Sequence, residues 1–352
     1  EAEIVERIAL ILSAELTADE QQRIEKVPTR SLEAYALYLN AHAVPSIIGP
    51  VRFPEFYHYL DQAIELDPDF ALAHSVKARG YAFAKRNGRQ IDGLSPEEME
   101  SKAIEHSDIA LALDPDLIMI YMAQAELHRS QQREAEASLA YERALQLNPN
   151  DREILSNYAR SLSAIGKHDD AAQVSMRVIE LDPNEANNHY LLAGRLMYAG
   201  KPVAAAAKYR QAISMEPNFF RYLNLSIAEI LSGNNSEAHE AIQYAEKLIS
   251  DNTTTRGIAR VAFVYSKLGL HDDAMRVFNL LESTVANGKL LKSHARTLSF
   301  LAIGEIDKAF DVLSEKPVDG LTPLQEIKSN MLNVAVLEEP RFLELRKLMQ
   351  KR

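Results

Sequence analysis

The sequence predicts an all-α fold built from a repeated unit, and three observations lead to this prediction. A short phrase that ends in proline recurs along the chain, as in Ala110–Pro115, Ala144–Pro149 and Val178–Pro183. The closing prolines then follow one another at intervals of 34 residues as far as Pro217. Small residues also recur at two fixed places in each interval. A fixed period of this length indicates a repeat array rather than one or two compact domains.

The small residues have a structural reason, because two helices approach closely only where small side chains meet at their crossing. We number each period so that the closing proline is position 32. Positions 8 and 20 of the three most regular periods are then Ala125, Ala137, Ala159, Ala171, Ala193 and Ala205. The closing proline ends the second helix, since it cannot donate a backbone hydrogen bond. One helical pair cannot bury its apolar face alone, so neighbouring pairs are expected to stack.

This period, with its small residues and its closing proline, resembles the tetratricopeptide repeat, whose unit is a pair of antiparallel helices. The resemblance implies a right-handed α-solenoid superhelix of about eight helical hairpins with N- and C-terminal capping helices. The first hairpin is expected at about Leu32–Ala43 and Pro54–Leu66. We assign 1–30 to an N-terminal helix and linker that end a truncated upstream domain. The array is assigned to 31–320, most regular over 118–219 and with an insertion at 85–96, and the capping helices to 321–352.

Two further segments resemble parts of larger bacterial proteins. Val27–Leu39, which reads VPTRSLEAYALYL, resembles the segment that joins a TolB-like amino-terminal domain to tetratricopeptide repeats. Glu338–Phe342 and the helix after it resemble the end of the same proteins. The resemblance implies the carboxy-terminal repeat region of a class III adenylate cyclase-like protein or of a membrane-tethered winged-helix regulator. A catalytic or DNA-binding domain would then lie upstream of Glu1.

Composition and charge exclude several functional classes. The absence of Cys excludes disulfides, thiolate metal sites and thiol catalysis. The net charge of −11 argues against binding nucleic acid or anionic lipid through bulk charge. No apolar stretch reaches the ~18 residues of a membrane-spanning helix. We therefore expect a soluble fragment, on the periplasmic side if the parent protein is membrane-tethered and in the cytoplasm otherwise.

Paired His and Asp residues at His168–Asp170 and His271–Asp273 are the strongest candidates for a metal site. Both triplets fall in the turn between the two helices of a repeat, where aspartate commonly caps helices and satisfies turn amides. Equivalent turns several repeats apart are also too distant to share an ion. Glycine-rich phosphate loops, GxSxG elbows and HExxH pairs are absent from the sequence. We therefore predict no catalytic residue, no metal site and no cofactor, and no enzyme in this chain.

A peptide-binding groove is the predicted functional site. By family analogy, positions 2, 5, 9 and 12 of the first helix in each repeat line the concave side of the superhelix. These positions and the adjoining position 6 supply the predicted binding residues Arg79, Glu126, Arg160, Asn187, Tyr190, Arg221, Asn224, Arg256 and Arg260. Guanidinium groups suit carboxylates, so an acidic or mixed peptide is the expected ligand. In the competing interpretation, the arginine stems pack on neighbouring helices and their tips are solvated.

Chaperone-binding tetratricopeptide domains hold a terminal carboxylate with lysine and asparagine at positions 5 and 9. In three successive repeats this chain has Met122 and Glu126, then Ser156 and Arg160, then Tyr190 and Gly194. We therefore do not predict binding of a chaperone tail.

The predicted function is that of a non-catalytic interaction or regulatory module of a bacterial signalling protein. Its expected partner is a peptide segment or a partner domain, not nucleic acid, and no direct membrane insertion is expected. A homo-oligomer stays open. Two alternative functions also stay open: a small-molecule sensor region, and the regulatory half of an adenylate cyclase whose catalytic domain lies outside this chain.

Overall fold

The computed structural model describes residues 28–43, 53–91, 93–288 and 293–314. Within these ranges the chain forms sixteen α-helices and no strand. The predicted all-α class is confirmed for this part of the chain. Contacts along the backbone divide the chain into two units, Glu1–Ile165 and Gly166–Arg352.

The described part of the first unit contains seven helices. They are α1 (Leu32–Ala43), α2 (Phe53–Leu66), α3 (Ala71–Arg86), α4 (Pro96–Leu113), α5 (Ile118–Ser130), α6 (Glu134–Leu147) and α7 (Arg152–Ala164). Each helix packs against the next one in sequence, and α3 also packs against α5, the first helix of the following pair. The two helices predicted for the first hairpin are confirmed as α1 and α2.

The described part of the second unit contains nine helices. They are α8 (His168–Leu181), α9 (Ala186–Tyr198), α10 (Pro202–Met215), α11 (Phe219–Leu231), α12 (Asn235–Lys247), α13 (Thr255–Lys267), α14 (His271–Ala286), α15 (Ser293–Ala302) and α16 (Ile306–Ser314). Consecutive helices pack against one another here too. First helices of neighbouring pairs are also in contact, as α13 with α15.

The predicted alanines lie in the buried interior of the units. The alanines at positions 8 and 20 of the three regular repeats are 0% exposed. Bulky side chains such as Tyr141 and Tyr209 fill the space beside these alanines and are almost fully buried. Because a larger side chain at an alanine position would push two helices apart, the small residues determine how closely each pair packs.

The tight turn between the two helices of a repeat depends on a residue in the left-handed conformation. Gly166, Gly200, Gly233 and Gly269 occupy this place with φ between +71° and +82°. Glycine adopts such a φ without steric cost because it has no Cβ. The turn between α5 and α6 places Gln132 there instead, with φ +61°.

The two His-Asp-Asp triplets begin the second helices α8 and α14. The residues that cap these helices are Lys167 and Leu270, and neither cap makes a side-chain hydrogen bond. A capping role for the aspartates is therefore wrong, because they lie in the first helical turn, where a negative charge favourably meets the helix dipole. Among the described residues, no three His, Asp or Glu side chains are grouped so that they could hold a metal ion.

Some predictions from the sequence concern residues outside the ranges that the structure describes. The N-terminal helix before residue 28 and the capping helices at 321–352 lie outside the described residues, as does the segment Glu338–Phe342. Over the ranges that the structure describes, no helix has both the length and the apolar character needed to cross a membrane.

Candidate functional site

The nine predicted binding residues lie on first helices, in two groups that belong to different units. Helices α3, α5 and α7 of the first unit carry Arg79, Glu126 and Arg160. Helices α9, α11 and α13 of the second unit carry Asn187, Tyr190, Arg221, Asn224, Arg256 and Arg260.

In the first unit, most of the predicted charges are already paired. Arg79 forms an ion pair with Glu153 and lies with Nη1 at 3.8 Å from the sulfur of Met119. Glu126 is buried and pairs with Arg86, which the sequence analysis did not single out. Glu126 therefore links α5 to α3, the first helix of the preceding repeat pair, and is not free to receive a ligand cation.

Arg129 extends this network. Its Nη1 lies 3.5 Å from Glu126 Oε2 and its Nε lies 3.5 Å from Glu134 Oε1. Glu134 also accepts a hydrogen bond of 3.0 Å from the hydroxyl of Ser161 on α7. These contacts join α5, α6 and α7 through charges that neutralise one another.

Arg160 is the exposed member of the first group. It forms no ion pair or hydrogen bond with any described residue. Its partial burial and then the nearby positive charge of Arg129 lower the pKa of the Arg160 guanidinium. Arginine nevertheless stays protonated in proteins, so Arg160 presents a free positive charge.

In the second unit, three residues from successive repeats form a continuous chain of hydrogen bonds. Arg260 Nη2 on α13 donates to Asn224 Oδ1 on α11 at 2.7 Å. Asn224 Nδ2 donates in turn to the hydroxyl oxygen of Tyr190 on α9 at 2.8 Å. An arginine can only donate, so its contact fixes the orientation of the Asn224 amide and leaves the Tyr190 O–H free to donate elsewhere.

Tyr209 lies beside these hydrogen-bonded residues. Together they form what we call the tyrosine–arginine cluster, made of Tyr190, Tyr209, Asn224 and Arg260. The rings of Tyr190 and Tyr209 have centroids 5.7 Å apart at an angle of 56°. The Tyr209 hydroxyl has no hydrogen-bond partner among the described residues. The Nε–H of Arg260 is buried and also lacks an acceptor within the described ranges. The cluster therefore offers donors that have no acceptor.

The charges around the cluster are unbalanced. Neither Arg260 nor the exposed Arg256, one turn before it on α13, forms an ion pair with a carboxylate of the described residues. Burial and then the nearby charge of Arg256 lower the pKa of Arg260. Burial raises the pKa of Tyr190 and of Tyr209, so both phenols stay protonated and can donate at neutral pH.

The other two predicted residues of the second unit behave differently. Arg221 is buried, and its Nη1 contacts both the backbone oxygen of Glu216 and its carboxylate, the latter at 2.7 Å. Asn187 is exposed in the first turn of α9, and no contact joins its side chain to the cluster within the described residues.

Sequence reasoning missed two residues of this region. Tyr209 lies on the second helix α10, outside the groove positions, and Gly194 entered the sequence analysis only in the exclusion of chaperone-tail binding. A glycine in the middle of a helix, at a position expected to face the groove, was the available signal. Gly194 is four residues after Tyr190 on α9, so the two share one helix face.

Comparison with known proteins agrees with the repeat architecture. Residues 128–194 match the tetratricopeptide repeat family. The small glutamine-rich tetratricopeptide repeat-containing protein 2 of Mycosarcoma maydis is 29% identical over 105 residues, which are 29% of this chain and 30% of that protein.

A solved structure of a tetratricopeptide repeat protein shares the fold. A tetratricopeptide repeat protein from Parabacteroides merdae superposes with a TM-score of 0.52 at 16% identity, over 78% of this chain and 100% of that one. The α-solenoid class is thereby confirmed. A crystal structure of the protein MamA matches with a TM-score of 0.43 and 22% identity, over 51% of this chain and 98% of that chain.

The first helices of the second unit therefore bring hydrogen-bond donors and positive charge together at one place. A donor-rich surface with uncompensated positive charge binds anions, whereas a catalytic site needs a nucleophile or a base close to a reacting group. The described residues of the cluster supply two phenols and one amide, which are neutral at pH 7, and one guanidinium, which is positively charged. All four groups can donate hydrogen bonds.

Proposed function

We propose that the chain is a non-catalytic interaction module that binds an acidic segment of a protein partner along the first helices of its second unit. One observation carries this proposal: the tyrosine–arginine cluster and Arg256 present hydrogen-bond donors and positive charge without a carboxylate of the described residues to receive them. A partner carboxylate would supply the missing acceptor and a charge-assisted hydrogen bond.

Ion pairs formed by two other predicted arginines support the choice of the second unit's cluster as the binding site. Arg79 and Arg221 each hold a carboxylate of the same chain, so a ligand would have to displace an existing ion pair. Arg256 and Arg260 require no such exchange. The binding face proposed here is therefore narrower than the nine residues that the sequence predicted.

The parent protein is proposed to be a bacterial signalling protein, on the basis of the segments around Val27–Leu39 and Glu338–Phe342. In that setting, the repeats would act as the regulatory region of a cyclase-like or winged-helix protein whose effector domain is separate. A membrane-tethered parent would place the repeats on the periplasmic side. A second copy of the chain is then one candidate for the acidic partner, given the net charge of −11.

The proposal is tested with fluorescently labelled oligo-glutamate, oligo-glutamine and oligo-lysine peptides of equal length. We expect only oligo-glutamate to bind in an anisotropy titration. Asn224→Asp places a carboxylate of nearly the same shape between Arg260 and Tyr190, both of which can donate to it. This internal carboxylate should weaken oligo-glutamate binding roughly tenfold or more while the protein stays at least as stable.

A second variant separates the effect of the cluster from a general charge effect. Arg256→Gln should weaken oligo-glutamate binding, whereas Arg143→Gln on the second helix α6 removes the same charge and should not. Asn287→Asp, an exposed residue at the end of α14, is the matched control for Asn224→Asp. Equal binding of all three peptides, or unchanged binding by both site variants, would refute the proposal.

A further inference from the structure

Three glycines lie inside helices of the described chain, and two of them are required by packing. A Cβ on Gly80 would lie 2.8 Å from the Tyr57 hydroxyl and 3.0 Å from the Phe56 ring. A Cβ on Gly257 would lie 2.9 Å from the Phe219 ring. Such distances are shorter than van der Waals contact, so a larger residue would force the neighbouring helices apart.

Gly194 is different, because its surroundings leave room for a side chain. The nearest described atom to a Cβ on this residue would be the Tyr209 hydroxyl oxygen, at 3.9 Å. The backbone of Gly194 is helical and needs no positive φ. Glycine inside a helix is less favourable than alanine, because it loses more backbone entropy on folding. The fold of the described residues therefore gives no reason for glycine at this position.

The open space beside Gly194 borders the tyrosine–arginine cluster. Tyr190 lies one turn earlier on the same face of α9, and the Tyr209 hydroxyl is the group that a Cβ would approach. Both phenolic O–H groups lack an acceptor among the described residues, and Arg260 is held near them through Asn224. A recess with apolar ring walls and several unpaired donors matches a small anionic group.

We propose that Gly194, Tyr190, Tyr209 and Arg260 form a recess that receives one carboxylate group of an acidic side chain of the partner. The two phenols donate to its oxygens, Arg260 supplies the opposite charge, and the absent Cβ of residue 194 leaves the space for its entry. This inference rests on the proposed function and names the subsite in which the acidic segment is anchored.

The decisive variant is Gly194→Ala, because it has opposite effects on stability and on binding. It should raise the Tm by about 2 °C, since alanine is the better helix former and meets no clash. The same methyl group narrows the space in front of the Tyr209 hydroxyl, so oligo-glutamate should bind roughly tenfold more weakly. Gly80→Ala is the matched control for stability and should lower the Tm.

Tyr209→Phe provides a second measurement that does not change the space. It removes a hydroxyl that has no partner among the described residues, so the Tm should change little. Oligo-glutamate should nevertheless bind several-fold more weakly, and Gly194→Ala should then add less than it does alone.

The outcomes distinguish this inference from the proposed function. Unchanged oligo-glutamate affinity in both Gly194→Ala and Tyr209→Phe, with weakened binding in Asn224→Asp, would overturn the recess and leave the interaction face in place. A lower Tm of Gly194→Ala would also overturn it, because the glycine would then serve packing. Absence of oligo-glutamate binding by the unaltered chain would overturn both proposals.

Discussion

At the scale of single residues, an arginine on a first helix can bind a partner only where no carboxylate of its own chain has reached it. Arg86 and Arg129 share the buried carboxylate of Glu126. Removal of that carboxylate would leave Arg86 without an ion pair among the described residues and the buried Arg129 with only its contact to Glu134. Such losses are typically strongly destabilising. The paired arginines of the first unit thus contribute to structure, whereas Arg160, Arg256 and Arg260 form no ion pair with a carboxylate of the described residues.

Gln132 offers a test of backbone strain at the same scale. It occupies the left-handed position that glycine holds in the equivalent turns, and its side chain is exposed. A residue with a Cβ pays about 1–2 kcal/mol for this conformation, which exceeds the entropy that glycine loses on folding. Gln132→Gly should therefore stabilise the protein by about 0.5–1 kcal/mol, measured by urea denaturation.

The neighbouring Gln131 is the control for this prediction. Its backbone has negative φ, and its side-chain amide donates to Glu100 on α4 at 2.7 Å. Gln131→Gly should therefore destabilise the protein. Loss of stability in both variants would show that Gln132 is not strained.

At the scale of helices, a buried pair of histidines joins α3 to α4. His74 Nε2 lies 3.1 Å from the carbonyl oxygen of Pro68, so this nitrogen must carry the proton. His74 Nδ1 is then the acceptor of the 2.9 Å hydrogen bond to His106 Nδ1. Both rings are buried, and the ring of Tyr81 on α3 stacks on that of His106, with ring centroids 6.2 Å apart. This hydrogen bond requires a neutral His74, because its Nδ1 must accept, whereas His106 only has to carry a proton on Nδ1.

The charged groups around the pair oppose protonation of His106. Burial, followed by the electrostatic effects of Lys77, His74 and Lys102, lowers the pKa of His106 to about 3. Burial is also the main cause of the lowered pKa of His74, partly offset by its bond to Pro68 and by Glu105 and Asp69. Lys77 itself pairs with Asp61 of α2.

This pair predicts that stability falls in mildly acidic solution. Since the pKa of His106 is lower in the folded state than its ordinary value of 6.5, its contribution is present above pH 6.5 and is lost as the pH falls below it. Between about pH 7.5 and pH 5.5, His106 alone should reduce the free energy of unfolding by about 1.4 kcal/mol. Urea denaturation at the two pH values measures this change.

His106→Asn isolates the contribution of the pair from those of other groups that titrate. The asparagine amide can donate to His74 Nδ1 in place of the imidazole, but it does not titrate. The loss of stability between the two pH values should therefore be smaller in the variant by about 1.4 kcal/mol. An equal loss in both proteins would mean that the histidine pair does not titrate on unfolding as expected.

At the scale of the whole molecule, the sequence predicted the repeat units well because their determinants are local and periodic. The alanines at positions 8 and 20, the closing prolines and the glycine turns each act within one helical pair. The helix limits of α1 and α2 followed from the same pattern. The capping role given to the aspartates of His168–Asp170 was wrong. The sequence alone placed these residues in the connection before α8, whereas they form the first helical turn of α8.

The site could be predicted only in part, because pairing joins residues that are far apart in sequence. Glu126 is 40 residues from Arg86, and Glu153 is 74 residues from Arg79, so no local pattern reveals that these arginines are neutralised. The donor chain from Tyr190 to Arg260 spans three repeats for the same reason. The packed structure was therefore needed to show which arginines form no ion pair within the described residues.

The net charge of the molecule predicts an unusual dependence of binding kinetics on salt. With a net charge of −11, the chain repels oligo-glutamate at long range, although the cluster attracts a carboxylate at contact. Salt screens interactions beyond about 10 Å at 0.1 M more completely than contacts inside a partly buried site. The association rate constant for oligo-glutamate should therefore rise between about 0.02 M and 0.15 M NaCl, with the dissociation rate constant rising less steeply.

Stopped-flow anisotropy measures both rate constants, and Arg256→Gln should make the rise in the association rate constant steeper. A steep fall of that rate constant with salt would show that local attraction already guides the encounter and would contradict this account.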